Sequence, residues 1–332
     1  MQIDLDFSSL EGHEQALEAL RKGGRKEPFP SLVFEGPAHV GKRLVGIWYA
    51  AFLNCLDSEA QAPCGVCRSC KKIKSGIHPD LHLTRVPEKK TVVGVSEVRE
   101  AIYEVHHAPF EGNFRVWVIE EGERLSDEAQ NALLKTLEEP PERAIILLVT
   151  NLGGTLIPTV SSRCRLVRFH VLQSDRVEKA LLARGASDSQ AKRLSALCSG
   201  AFGSALSLFS EPKSLEERDA VLELFSSLPG KDLWGAVETA QRLEKTKLNG
   251  LGSVLDLGIS FFRDLLVLSA GSVDLVVHRE RMDRLQELAS VMSAAKIRFA
   301  IQELQEADHF VQRNVSPRLL LQRLCINLSK AC

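Results

Sequence analysis

Apolar residues in the first half of the chain gather into five short, partly β-branched runs, Ser31–Glu35, Leu81–Val86, Arg115–Glu120, Ala144–Thr150 and Leu166–Val171. Runs of this kind predict strands buried on both faces. Between them the spacing becomes helical. Leu17 and Leu20 share one face over Gly12–Arg21, and Leu133, Leu134 and Leu137 recur over Ser126–Glu139, where Pro140 and Pro141 stop the helix. Strands alternating with helices predict an α/β domain over residues 1–171, a five-stranded parallel sheet with helices on both faces. Beyond Val171 the strand signal ends. Residues 172–210 read as a small helical lid, closed by the glycine-bearing stretch Ser199–Gly203, and residues 211–332 as an all-α domain whose last helix starts at Ser316-Pro317.

Composition narrows the class. The 332 residues are 44% hydrophobic, 26% charged and 6% aromatic, the balance of a soluble globular chain with room for two or three domains. Lys and Arg number 42 against 43 Asp and Glu, so 42 − 43 = −1 and no basic excess announces a nucleic-acid binder; any DNA contact must come from a local patch. The segment Met1–Leu10 is acidic and lacks the basic and apolar regions of a signal peptide, and no apolar run reaches the roughly 18 residues of a membrane span. A cytoplasmic protein without membrane association is expected.

In that compartment thiols stay reduced, so four cysteines crowded into Cys55, Cys64, Cys67 and Cys70 point to metal rather than to disulfides. Two overlapping C-x-x-C steps with a fourth cysteine nearby suit a tetrahedral Zn²⁺ with four thiolates and no open position, hence a structural site. An iron–sulfur cluster shares the ligand set, and four reduced core cysteines are the remaining alternative, disfavoured by Pro63, Gly65 and the polar neighbours. Cys164, Cys198, Cys325 and Cys332 have no ligand spacing.

Directly after the first strand stands Gly36-Pro37-Ala38-His39-Val40-Gly41-Lys42-Arg43, nearly a Walker A loop, followed by an amphipathic helix through Leu53. Glycines allow backbone N–H groups to cradle phosphate, and the lysine reaches the terminal phosphates. A Ser or Thr should follow the lysine to hold Mg²⁺; Arg43 removes that ligand and adds a positive charge there. At the end of the third strand Glu120 and Glu121 occupy the places of the metal-holding Asp and water-activating Glu. These residues leave ATP or ADP binding open and argue against hydrolysis by this chain. A solvated acidic turn is the plainer reading of Glu120 and Glu121. Thr150 and Asn151 end the fourth strand, where a polar side chain can sense a phosphate.

Taken together, Gly36–Arg43, the cysteine cluster, His78-Pro79-Asp80, Pro109-Phe110-Glu111-Gly112, the run Asn131–Pro141 and Ser162-Arg163-Cys164 resemble the bacterial clamp-loader subunits of the AAA+ class over the first half of the chain. The Leu-Leu-Lys-Thr-Leu-Glu-Glu-Pro-Pro run and Ser-Arg-Cys are highly specific to that group. The resemblance implies that Arg163 is an arginine finger given in trans to ATP on a neighbouring subunit; read by itself, an arginine on such a loop is more often solvated or locally paired. It also implies a collar formed by residues 211–332, a hetero-pentamer with tau/gamma and delta subunits, the sliding clamp, and primer–template DNA met through the assembled complex of a polymerase holoenzyme. Arg43, the Glu120-Glu121 pair and Ser204, where a sensor arginine is expected, depart from the ATPase kind of subunit and favour a stator-type subunit that is not a competent ATPase alone. The alternatives are a self-sufficient tau/gamma-type ATPase and a zinc-bearing DNA-binding module.

Overall fold

The computed structural model describes residues 10, 12–57, 63–87, 90, 92–151, 156–246, 248, 250–311 and 315–330. The first elements are α1 (Glu14–Lys22), β1 (Ser31–Glu35), α2 (Lys42–Asn54), α3 (Arg68–Lys74), β2 (Leu81–Thr84), α4 (Val95–Val105), β3 (Arg115–Ile119), α5 (Asp127–Glu138), β4 (Ala144–Thr150), α6 (Pro158–Ser161) and β5 (Arg165–Arg168). The five strands form one parallel sheet in the order β2-β3-β4-β1-β5.

Residues of alternating parity supply its two apolar faces. Leu32, Phe34, Val116, Val118 and Leu147 pack with α1 and α2, whereas Val33, Trp117, Ile119, Ile146 and Leu148 pack against residues of α4 and α5. Burial on both sides is what turns these strands into continuous apolar runs in the sequence. Three strands differ from the sequence expectation. β2 ends at Thr84 rather than at Val86. β3 stops at Ile119, because Glu121 adopts a left-handed backbone with φ 53°. β5 spans Arg165–Arg168 rather than Leu166–Val171, since its one partner among the described residues, β1, ends at Glu35 opposite Arg168.

The chain continues through α7 (Ser174–Leu182), α8 (Asp188–Cys198), α9 (Phe202–Ser210), α10 (Pro212–Ser226), α11 (Leu233–Glu244), α12 (Leu251–Ser269), α13 (Met282–Val291), α14 (Ala294–Val311) and α15 (Pro317–Ser329). Two compact units result, one of residues 1–191 with 200–204, the other of 192–199 with 205–332, so the boundary passes through α8 and α9. The second unit is helical, and Phe225, Phe261, Phe262, Leu265, Leu304 and Leu324 lie in its core. Among the described residues no helix is long and apolar enough to cross a membrane.

A buried polar cluster in the second unit gives it a defined acid response. The Asp264 carboxylate accepts the backbone N–H groups of Val277 and His278, and the fully buried His278 places Nε2 3.1 Å from Ser260 Oγ. Its Nδ1 has no partner among the described residues. Burial first, then the positive charges of Arg218 and Arg281, lower its pKa to about 3. Below about pH 6.5 the unfolded chain takes up a proton that the folded chain refuses, so stability should fall with pH, at roughly 1.4 kcal/mol per unit from this group alone. Urea unfolding followed at pH 7.5 and 5.5 should show a smaller loss in His278→Gln than in the parent chain.

Candidate phosphate loop, thiol cluster and arginine site

Three strand ends converge where the loop after β1 meets the carboxyl ends of β3 and β4. Gly41, at φ 101°, is the residue before α2; a side chain there would be strained and would meet the His13 ring at 3.2 Å. Gly36 passes so near Phe169 that a Cβ would lie 2.5 Å from its carbonyl oxygen. These close approaches require glycine. The loop is held further by His13 Nε2, 2.6 Å from Val40 O, and by Gly203 N–H, which donates to His39 O at 2.9 Å.

Lys42 is turned into its own loop. Its ammonium donates to Gly36 O at 2.7 Å, to Pro37 O and to Asn151 Oδ1 at 3.1 Å. Burial lowers its pKa to about 8, with Glu123 working in the opposite direction. Asn151 is fixed in turn by Glu123, which accepts both its side-chain and its backbone N–H groups. Thus Asn151 supplies the side chain that meets Lys42, while the buried Thr150 turns its hydroxyl to Asn151 O.

Arg43 pairs with Glu120 at 2.6 Å, and Arg85 donates to the same carboxylate oxygen at 3.1 Å. Glu121 points elsewhere, to Arg124 at 3.5 Å. The carboxylate at the place of a metal ligand therefore carries two guanidinium groups, whose charges oppose a divalent cation there. Neither Glu123 nor Arg85 stood out in the sequence; each acts through a partner distant along the chain.

The four cysteines do converge. The Sγ atoms of Cys55, Cys64, Cys67 and Cys70 all lie within 4.8 Å of one another. Backbone N–H groups of Cys64, Cys67 and Cys70 donate to the Sγ of Cys55, Cys64 and Cys67 at 3.4, 3.3 and 3.4 Å. Burial pushes the thiols of Cys55 and Cys70 up, a cost to the thiolate form that a bound cation would offset. The donor set and its N–H···S bonds fit a tetrahedral thiolate-bound ion. Arg25 holds this region to the end of α1, donating to Cys55 O and, at 3.1 Å, to Asp57 O.

Asp80, also missed as a site residue, explains two of the sequence motifs. Fully buried, it accepts the N–H groups of Phe110, Glu111 and Gly112 at 2.6, 2.9 and 2.7 Å, and burial notwithstanding, these bonds keep its pKa low. Glu111 in turn takes Lys72 of α3 through both oxygens.

Arg163 follows α6. Its Nε donates to Glu138 Oε1 at 2.8 Å, its Nη2 to the same oxygen, and its Nη1 to Thr159 O at 2.8 Å. The side chain remains one-third exposed.

A parallel sheet in this order, with a glycine loop and lysine after β1 and helices on both faces, defines an AAA+-type α/β unit followed by a helical unit. Comparison with known proteins agrees. A family model described as "DNA polymerase III, delta subunit" matches residues 12–173. DNA polymerase III subunit delta' of Bacillus subtilis is 26% identical over 302 residues, 90% of each chain, and that of Escherichia coli K12 is 36% identical over 213 residues, 61% of this chain and 62% of that one. DNA polymerase III subunit tau of Bacillus subtilis is 27% identical over 341 residues, covering 95% of this chain but 60% of that protein. Among solved structures, a DNA polymerase III gamma subunit-related protein of Thermotoga maritima aligns with TM-score 0.51 at 16% identity, over 96% of this chain and 100% of that one, a likeness of fold. These matches make the chain similar to bacterial DNA polymerase III clamp-loader subunits, those of the delta-prime kind among them.

Proposed function

We propose that this chain is a stator-type subunit of a hetero-pentameric clamp loader, cytoplasmic, assembled with tau/gamma and delta subunits. It hydrolyses no ATP itself, gives Arg163 in trans to ATP bound on a neighbour, and helps place the sliding clamp on primer–template DNA. In this reading residues 1–171 form the AAA+ domain, 172–210 the lid and 211–332 the collar through which subunits assemble, and Cys55, Cys64, Cys67 and Cys70 hold one structural Zn²⁺.

The observation that carries this reading is the ion pair of Arg43 with Glu120. A catalytic site requires at that place an oxygen ligand and a carboxylate available to Mg²⁺; here the ligand is a cation and the carboxylate is engaged twice. The finger-bearing loop, by contrast, keeps an exposed guanidinium.

Titration calorimetry with Mg-ATP and ADP on the purified, metal-replete chain, beside Lys42→Ala and a hydrolysis assay, tests it. Expected is no turnover, with any nucleotide binding abolished in Lys42→Ala. Hydrolysis lost in Lys42→Ala would instead make the chain a tau/gamma-type motor. The zinc-bearing DNA-binding module would show salt-sensitive DNA binding by the isolated chain, which a net charge of −1 does not favour.

A further inference from the structure

We propose that Glu138 is the positioning residue for Arg163, an inference that rests on reading Arg163 as the group that meets a neighbour's phosphate. An arginine has a long, rotamer-rich side chain, and a guanidinium left in solvent would have to be immobilised each time it met a phosphate. Here it is immobilised in advance. Glu138 Oε1 takes the Nε and Nη2 edge, and the Thr159 carbonyl takes Nη1, so the planar group is fixed from two directions. Of its five N–H bonds, these contacts use three. The other two are unengaged by the described residues, leaving donors for an incoming anion.

The platform under the arginine is tied to the same helix. Gln130 of α5 accepts the N–H of Ile157 at 2.8 Å, just before α6 begins, and Val160 of α6 is buried. Glu138 is the last residue of α5. One helix thus fixes both the start of the segment that carries Arg163 and the direction of its guanidinium. As a contribution to stability the pair matters little, since both side chains are substantially exposed, Glu138 to 50%. Its consequence lies in orientation, and this separates the proposal from a merely structural ion pair.

The test uses the reconstituted loader, with Glu138→Ala, Glu138→Gln, Arg163→Ala and the double variant Glu138→Ala/Arg163→Ala in this subunit. Expected for Glu138→Ala is a fall in kcat for the ATP hydrolysis that depends on this subunit of about tenfold or more, since misplacement of a reacting group by an ångström is enough for such a loss. KM for ATP and the melting temperature of the chain should stay unchanged. Glu138→Gln, which keeps an acceptor oxygen, should lose less, and the double variant should be no slower than Arg163→Ala alone. Hydrolysis in Glu138→Ala at or above the parent rate, with Arg163→Ala strongly impaired, would overturn the positioning role while leaving the finger intact. If Arg163→Ala itself has no effect, the finger reading fails and takes this inference with it.

Discussion

Replacing Arg163 with alanine should slow ATP hydrolysis at the neighbouring site of the assembled loader by about 10³-fold, the usual worth of an arginine finger supplied in trans. The cause is the charge that develops on the transferring phosphoryl oxygens, which a rigid guanidinium offsets by two directed N–H bonds. The chain itself should fold as before, because Arg163 contributes an exposed pair whose loss is worth about 1 kcal/mol or less. Arg163→Lys should not restore the rate, since an ammonium cannot bond in the same forked way. The check is steady-state ATP turnover with primed DNA and clamp, measured on loaders that differ in this subunit alone. A loader that turns over and loads clamps at the parent rate would remove the finger role.

The second large effect expected is from loss of metal. Coordination by four thiolates is worth on the order of 10–16 kcal/mol in small thiolate-bound domains near pH 7, much of it expressed as folding. Here the cluster is built into a larger core: Cys55, Cys70 and Ile73 are buried together with residues of α2. Loss of metal should therefore lower the melting temperature of the α/β unit by about 10 °C or more rather than unfold it outright. It should also open all four thiols to modification. Cys64→Ser should reproduce most of the shift. Metal analysis should return one zinc per chain and no iron. A melting curve unchanged after verified removal of metal would exclude a stabilising role.

Much of this was legible in the sequence, and the parts that were not share a physical cause. The sheet was legible because both of its faces are buried, which leaves uninterrupted apolar runs such as Ala144–Thr150. The cysteine cluster was legible because three of its four members, Cys64, Cys67 and Cys70, are neighbours along the chain. The loop was legible through Gly36, Gly41 and Lys42, and its departure from the phosphate-loop pattern through Arg43. What escaped were interactions between positions far apart: Glu123 with Asn151, Arg85 with Glu120, Glu138 with Arg163. Charged residues at such positions look like ordinary solvated surface until the fold supplies their partners. Asp80 escaped for a related reason. A buried carboxylate is rare, and only the turn at Phe110–Gly112 reveals why this one is tolerated.

The helix α2 begins at Lys42 and ends against Cys55. Its 13 residues make a rod about 20 Å long with the glycine loop at one end and the thiol cluster at the other. Such a rod has two masters. Whatever the loop binds, its glycines and lysine set where the rod starts, and the cysteines set where it stops. The retained loop is thus the footing of a strut, and a substitution such as Gly41→Ala should disturb the cysteine end as well as the loop itself.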